Sequence, residues 1–170
     1  GGGQMGSGIA HVFALAGFPV TLIDVAPAVL DKALASIAAN LERQTKKGTV
    51  SEADAKAALA RLSPAGALSA AAGADLVVEA VPERFELKRQ VFEALDAACA
   101  PSAILASNTS SLPITRLAAV TRRPANVIGM HFMNPVPVMK LVELIKGVET
   151  SEDTLETVKA LTLKLGKTPA

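Results

Sequence analysis

The first 24 residues constrain the fold more than any other stretch. Gly1-Gly2-Gly3-Gln4-Met5-Gly6 fits the pattern G-x-G-x-x-G. Apolar residues then recur at helical spacing, as Ile9, Val12, Phe13 and Ala16, until Gly17 closes the helix. Val20-Thr21-Leu22-Ile23 reads as a buried strand ending on an acid, Asp24, 18 residues after Gly6. Each part has a physical use. Glycines let the backbone approach a pyrophosphate, a helix N-terminus presents free N–H groups, and an acid about 20 residues on accepts from a ribose hydroxyl. The segment points to a dinucleotide site. Asp24 would repel a 2′-phosphate and no arginine follows it directly, so the pattern favours NAD over NADP. The plainer alternative is a glycine-rich turn with Asp24 as an ordinary strand end. The strand that normally runs into the first glycine is missing from the pattern.

The remaining segments alternate in the same style. A long helical pattern from Pro27 to about Lys47 buries Leu30, Leu34, Ile37 and Leu41, ends in Arg43, Lys46 and Lys47, and stops at Gly48. Ser51 caps a second helix read through Leu62, and Pro64 to Gly73 reads as a loop. Asp75–Val81 is a continuous apolar strand of the kind found inside parallel sheets. A helix follows from Phe85 to Ala100, a strand over 103–106, and five small polar residues, Ser107-Asn108-Thr109-Ser110-Ser111. Those five suit either ligand binding at a strand end or the capping of the helix near Pro113. Asn126–Met133 is a further strand, and Thr154–Leu165 a last helix capped by Ser151. No repeat or linker divides the 170 residues, so one domain is expected. The fold class is α/β and Rossmann-like: a mostly parallel sheet with helices on both faces.

Composition excludes several functions. Half of the residues are hydrophobic but only 3% are aromatic, so the core must be aliphatic. Lys+Arg 17 against Asp+Glu 16 leaves no electrostatic footprint for nucleic acid. No run of about 18 apolar residues suggests a membrane span, and no signal peptide opens the chain. A single cysteine, Cys99, rules out an intramolecular disulfide framework and fits a reducing, cytoplasmic setting. One cysteine and two histidines are too few for an ordinary zinc site, so no metal is expected.

Chemistry concentrates in Met130–Lys146, MHFMNPVPVMKLVELIK. His131 stands twelve residues before Glu143, and alternation places Glu143 on one strand face with Leu141 and Ile145. A carboxylate buried on an apolar face needs a partner. His131 is the nearest group that exchanges a proton near neutral pH, and a His oriented by a carboxylate is a common general base. The plainer reading is a half-exposed strand with a solvated Glu143 and a structural His131. Asp24, Asn108–Ser110, and His131 with Asn134 all lie at strand ends, which brings them to one sheet edge. His11 sits inside the first helix and reads as a packing or edge residue.

GGGQMGSGIA, VVEAVPE, ASNTSSLPIT and HFMNPVPVMKLVELIKG resemble the short-chain L-3-hydroxyacyl-CoA dehydrogenase family, 3-hydroxybutyryl-CoA dehydrogenases included. The likeness runs along the whole chain in family order. It implies NAD-dependent oxidation of a 3-hydroxyacyl-CoA to the 3-keto compound, or the reverse, in fatty-acid or butanoate metabolism. His131 would be the general base, Glu143 would orient it, Ser110 would bond the reacting oxygen, and Asn134 would position substrate and nicotinamide. Gly1, Gly3, Gln4, Met5 and Gly6 would hold the pyrophosphate and Asp24 the adenosine ribose. Glu83 and Lys88 stand where the family touches NAD. Ser110 and Lys47 would contact the acyl-CoA, Lys47 at its phosphates. Asn40 stands where some members have serine. The family also carries a strand before the first glycine and a helical C-terminal domain that lines the acyl pocket and forms a homodimer. Neither is read in these 170 residues, which look like a fragment of such a protein. Exposed apolar surface is expected where that domain would dock. Two rival readings are a sugar-acid or other hydroxy-acid dehydrogenase on the same fold, and a non-catalytic NAD-binding module. A segment of a larger fusion enzyme is also compatible with the sequence.

Overall fold

Helices and strands alternate along most of the chain, and the computed structural model, which describes all 170 residues, resolves that order into a layered α/β arrangement. Helix α1 spans Gln4–Leu15, strand β1 Val20–Ile23, helix α2 Pro27–Lys46 and helix α3 Glu52–Ala60. Strand β2 is Leu62–Ala65, β3 Leu76–Glu79, helix α4 Phe85–Ala98 and β4 Ile104–Ser107. Helix α5 is Ile114–Ala118, β5 Val127–Phe132, β6 Leu141–Lys146, helix α6 Glu152–Lys164 and β7 Thr168–Pro169.

Local chemistry explains most boundaries. Ser51 and Ser151 cap α3 and α6 by accepting from the N–H of Asp54 and of Thr154, and acids fill both first turns. Gly17, at φ +100°, turns the chain out of α1 into β1, a conformation that side chains resist. Pro27 starts α2, and Arg43 and Lys46 occupy its last turn.

Strands β3, β4 and β5 are parallel, β6 returns antiparallel to β5, and β7 runs parallel to β6. Strands β1 and β2 form a separate parallel pair. Between β1 and β3 lies a cavity of about 840 Å³, lined by residues of both strands, α1 and α6. The Gly1 N–H, in its lining, donates to the Ile23 carbonyl at 2.9 Å.

Two apolar layers hold the sheet, and alternation along the strands assigns residues to each. Leu105 and Val127 face Phe92, Leu95, Ile114 and Leu117 of α4 and α5. Ala106, Ile128, Met130 and Phe132 face Ile9 and Val12 of α1 and Val158 of α6. A third cluster joins α1, α2, α3 and β1 through Ala14, Leu22, Leu30, Ile37 and Ala58.

Three sequence expectations change. The helix read through Leu62 ends at Ala60, and Leu62–Ala65 becomes β2 rather than loop. Pro64 masked it; an edge strand accommodates proline because its outer N–H has no ladder partner. The terminal pair Thr168–Pro169 adds β7, too short to carry a periodic signal. Leu141, Glu143 and Ile145 face outward, and the apolar two are more than a third exposed.

His11 is fully buried, with Nε2 bonded to Gln44 Oε1 at 3.0 Å and Nδ1 unpartnered. Burial pushes its pKa below the ordinary 6.5; the Gln44 bond opposes this and Lys167 adds to it. The depressed value means that the unfolded chain takes up the proton first. The stability conferred by a neutral His11 is therefore complete above about pH 6.5 and is lost as pH falls below it, by at most about 1.4 kcal/mol per pH unit. Urea denaturation midpoints between pH 7.5 and 5.5 should show this loss, and the His11→Gln variant should show a flatter profile.

Candidate active site

The ends of β3, β4 and β5 and the start of α1 converge on one rim, and the antiparallel return of β6 completes it. The glycine turn comes first. A Cβ on Gly6 would lie 1.8 Å from the Gly1 carbonyl oxygen, and one on Gly1 would lie 2.6 Å from that of Ala80. These two glycines are required by close backbone packing. Gly3 differs. Its φ is an ordinary −67° and a Cβ there meets no protein atom within 4 Å. Space is left open in front of the helix, where a pyrophosphate would approach.

The start of α1 suits an anion in two further ways. Its N-cap, Gly3, supplies no side-chain hydrogen bond, and its first turn contains no acid. Helices α3 and α6 have both a serine cap and first-turn acids. The uncapped N–H groups and the helix dipole of α1 are thus free for a phosphate.

Asp24, just past β1, accepts from the N–H of Gly2 at 2.8 Å through Oδ2 and from that of Ala26 at 3.0 Å through Oδ1. Partial burial pushes its pKa up, but those N–H groups outweigh this and hold it below the usual carboxylate range. A carboxylate has about four acceptor positions, so capacity remains for a ribose hydroxyl. The residues present therefore fit a dinucleotide whose adenosine ribose lies at Asp24.

The antiparallel ladder of β5 and β6 sets His131 directly opposite Glu143. His131 Nδ1 lies 2.8 Å from Glu143 Oε2. An ionised carboxylate only accepts, so Nδ1 carries the proton in the neutral ring and Nε2 is left as the acceptor. No protein group bonds Nε2. The side chains are 20% and 48% exposed, so Glu143 is not the buried carboxylate that the sequence suggested. Register, not desolvation, brings the pair together.

Asn134 stands exposed just past β5, and its Oδ1 accepts from Gln4 Nε2 at 3.2 Å. This bond spans 130 residues and ties the β5 end of the rim to the glycine turn. Asn108 Oδ1 accepts from the Phe132 N–H at 2.8 Å, locking the β4 end to the β5 end beside His131. Ser110 is exposed on the loop between β4 and α5. Met5 is half-buried in the first turn of α1.

Glu83 is exposed and accepts from Thr109 Oγ1 and from Ser111 Oγ, the latter at 3.3 Å. Lys88 is buried, and its Nζ donates to Glu79 at 2.7 Å and to the Val81 carbonyl at 3.0 Å. Lys47 caps the C-terminal end of α2, exposed beside Lys46 and Arg43. The sequence reading missed Asn108 as a clamp and Glu79 as a buried partner of Lys88. A strand-end acid nine residues before a lysine carries no signal of that pairing.

A model of the 3-hydroxyacyl-CoA dehydrogenase NAD-binding domain matches residues 1–170. The chain is 52% identical over 168 residues to a probable 3-hydroxybutyryl-CoA dehydrogenase of Bacillus subtilis, covering 99% of this chain and 58% of that protein. A 3-hydroxybutyryl-CoA dehydrogenase of Bradyrhizobium diazoefficiens is 52% identical over 167 residues, 98% of this chain and 57% of that protein. The crystal structure of a Ralstonia eutropha (S)-3-hydroxybutyryl-CoA dehydrogenase superposes with a TM-score of 0.97 at 45% identity, over 99% of this chain and 60% of that one. The chain thus spans less than two thirds of these relatives.

Substituting Gly3 and Gly6 should separate binding from folding. In Gly3→Ala the added Cβ meets no protein atom within 4 Å, so stability should fall only by the loss of N-cap preference, about 1 kcal/mol, while NADH affinity falls by about tenfold or more. Gly6→Ala should lose both. NADH fluorescence titration beside urea denaturation reads the two effects.

Proposed function

The chain belongs to the 3-hydroxyacyl-CoA dehydrogenase family, whose NAD-binding domain it carries, and from that premise we propose that it serves NAD-dependent interconversion of L-3-hydroxyacyl-CoA and 3-ketoacyl-CoA. The observation that carries the reading is the His131–Glu143 pair on the rim to which the glycine turn also opens.

NAD, when bound, accepts the hydride from the carbon that bears the hydroxyl. The protein's part is to move the proton and hold the geometry. His131 Nε2 takes the hydroxyl proton as the carbon–oxygen double bond forms. Glu143 keeps the ring in the tautomer that leaves Nε2 basic and supports the imidazolium that results. Ser110 donates to the reacting oxygen. Asn134, steadied by Gln4, positions substrate against nicotinamide. Gly1, Gly3, Gln4, Met5 and Gly6 hold the pyrophosphate, and Asp24 the adenosine ribose. Glu83 and Lys88 shape the nicotinamide side. Lys47, in the basic end of α2, faces the CoA phosphates.

An acyl-CoA partner is supported by the activities of the relatives and by the apolar surroundings of the pair. Val138, Met139, Leu141 and Ile145 are 72%, 41%, 37% and 38% exposed on and before β6. Such a patch suits an acyl chain or the helical domain for which the relatives' greater length leaves room. On this reading that domain lines the acyl pocket and forms a homodimer, and the enzyme works in the cytoplasm. No helix is long and apolar enough to cross a membrane. A non-catalytic module would not need His131 and Glu143 in contact, and they are.

In the protein with its acyl-binding part, Glu143→Gln should lower kcat with acetoacetyl-CoA and NADH by roughly tenfold or more while NADH affinity stays near wild type. His131→Gln should lose roughly 10²–10⁴-fold. An unchanged kcat in Glu143→Gln removes that residue from the mechanism. Turnover of L-gulonate in preference to acetoacetyl-CoA would point to a sugar-acid enzyme.

A further inference from the structure

A buried charge network lies one row beneath the His131–Glu143 pair. Glu79, Ser107, Gly129 and Ile145 are successive cross-strand partners through β3, β4, β5 and β6. Two residues further along β5 and β6, on the same face, stand His131 and Glu143. The spacing between rows is therefore about 6.6 Å.

The Glu79 side chain is fully buried and each of its oxygens is committed. Oε1 accepts from Lys88 Nζ at 2.7 Å and from the Val81 N–H at 2.6 Å. Oε2 accepts from Ser107 Oγ at 2.6 Å, and Ser107 Oγ in turn accepts from the Thr109 N–H at 3.2 Å. Lys88 Nζ also donates to the Val81 carbonyl and lies 3.7 Å from Glu83. Glu83 closes the circuit by accepting from Thr109 and Ser111. One lysine and two carboxylates thus clasp the 80–84 loop to the 107–111 loop.

Core stability does not call for this arrangement. A buried ion pair returns little net free energy after desolvation, and well-packed neutral residues in its place are often neutral or stabilising. What the network fixes is geometry. Val81 follows the strand end that abuts Gly1, where the Ala80 carbonyl leaves no room for a side chain. Ser110 sits between the two residues that Glu83 holds.

We propose that Glu79 is a positioning residue: through Lys88 and Ser107 it sets the shape of the two loops that form the nicotinamide side of the cleft. The proposal rests on the NAD-binding reading of the rim. Lys88 then acts on the cofactor through the loops rather than by presenting its ammonium, since its side chain is 1% exposed.

The test compares Glu79→Gln, Lys88→Met and the double variant Glu79→Gln/Lys88→Met. Each single change strands a buried partner and should raise the unfolding equilibrium constant by about a hundredfold or more. In the double variant the introduced amide can still accept from the Val81 N–H and meet Ser107, and the introduced thioether chain fills the channel that the lysine occupied. Its stability should return to within about tenfold of wild type. If the network positions the loops, the double variant still binds NADH about tenfold or more weaker. Amide hydrogen exchange at Val81 and at 108–111 should also quicken in the absence of ligand. A double variant with restored stability, wild-type exchange and NADH affinity within about twofold overturns the proposal. Wild-type protein that binds NADH but leaves acyl-CoA unchanged would end the dehydrogenase reading and leave this comparison intact.

Discussion

The register between β5 and β6 is the constraint on which the site depends. Strands β3, β4 and β5 run the same way and need helices to return the chain, whereas β6 turns back directly and pairs antiparallel with β5. In an antiparallel ladder the paired residues stand directly opposite one another, with side chains leaving the same face. His131 meets Glu143 for that reason. A slip of one residue would send Glu143 to the opposite face, against Met130 and Phe132, and turn Val142 outward. Those three are at most 1% exposed and tolerate no slip, so the apolar layer on α1 and α6 enforces the polar contact on the other face.

The rim is held by a few long-range polar bonds. Asn108 joins β4 to β5 at Phe132, Gln4 joins α1 to Asn134, and Asp24 fastens the glycine turn through Gly2. Gln4, Asn134 and Asp24 are themselves proposed for binding, whereas Asn108 and Gly2 are bonded beside residues so proposed. At the latter two, positioning and chemistry are divided between neighbours: Asn108 clamps while Ser110 stays exposed, and Gly2 is bonded while Gly3 faces open space. The buried Glu79–Lys88 pair extends this division one row into the sheet.

The sequence paired His131 with Glu143 by a partly wrong route. It argued that a carboxylate buried on an apolar face must find a partner. The carboxylate is half exposed and its apolar neighbours Leu141 and Ile145 face outward. Alternation in LVELI correctly gave a shared face but not what lies over it, because periodicity carries no information about which face is covered. β2 was lost to Pro64, whose breaker signal holds for central strands and not for an edge.

The glycine turn, the helix α1, the strand ending in Asp24 and the capped helices α3 and α6 were determined by the sequence alone. They depend on residue types within a few positions of one another: glycines without Cβ, serine oxygens reaching N–H groups three residues on, apolar residues at fixed period. The contact of His131 with Glu143, the bond of Gln4 to Asn134 and the pairing of Glu79 with Lys88 and Ser107 were decided by tertiary structure. Strand order and register bring together groups that the chain separates by 9 to 130 residues. No local preference encodes that meeting. It follows from which apolar faces can be buried together.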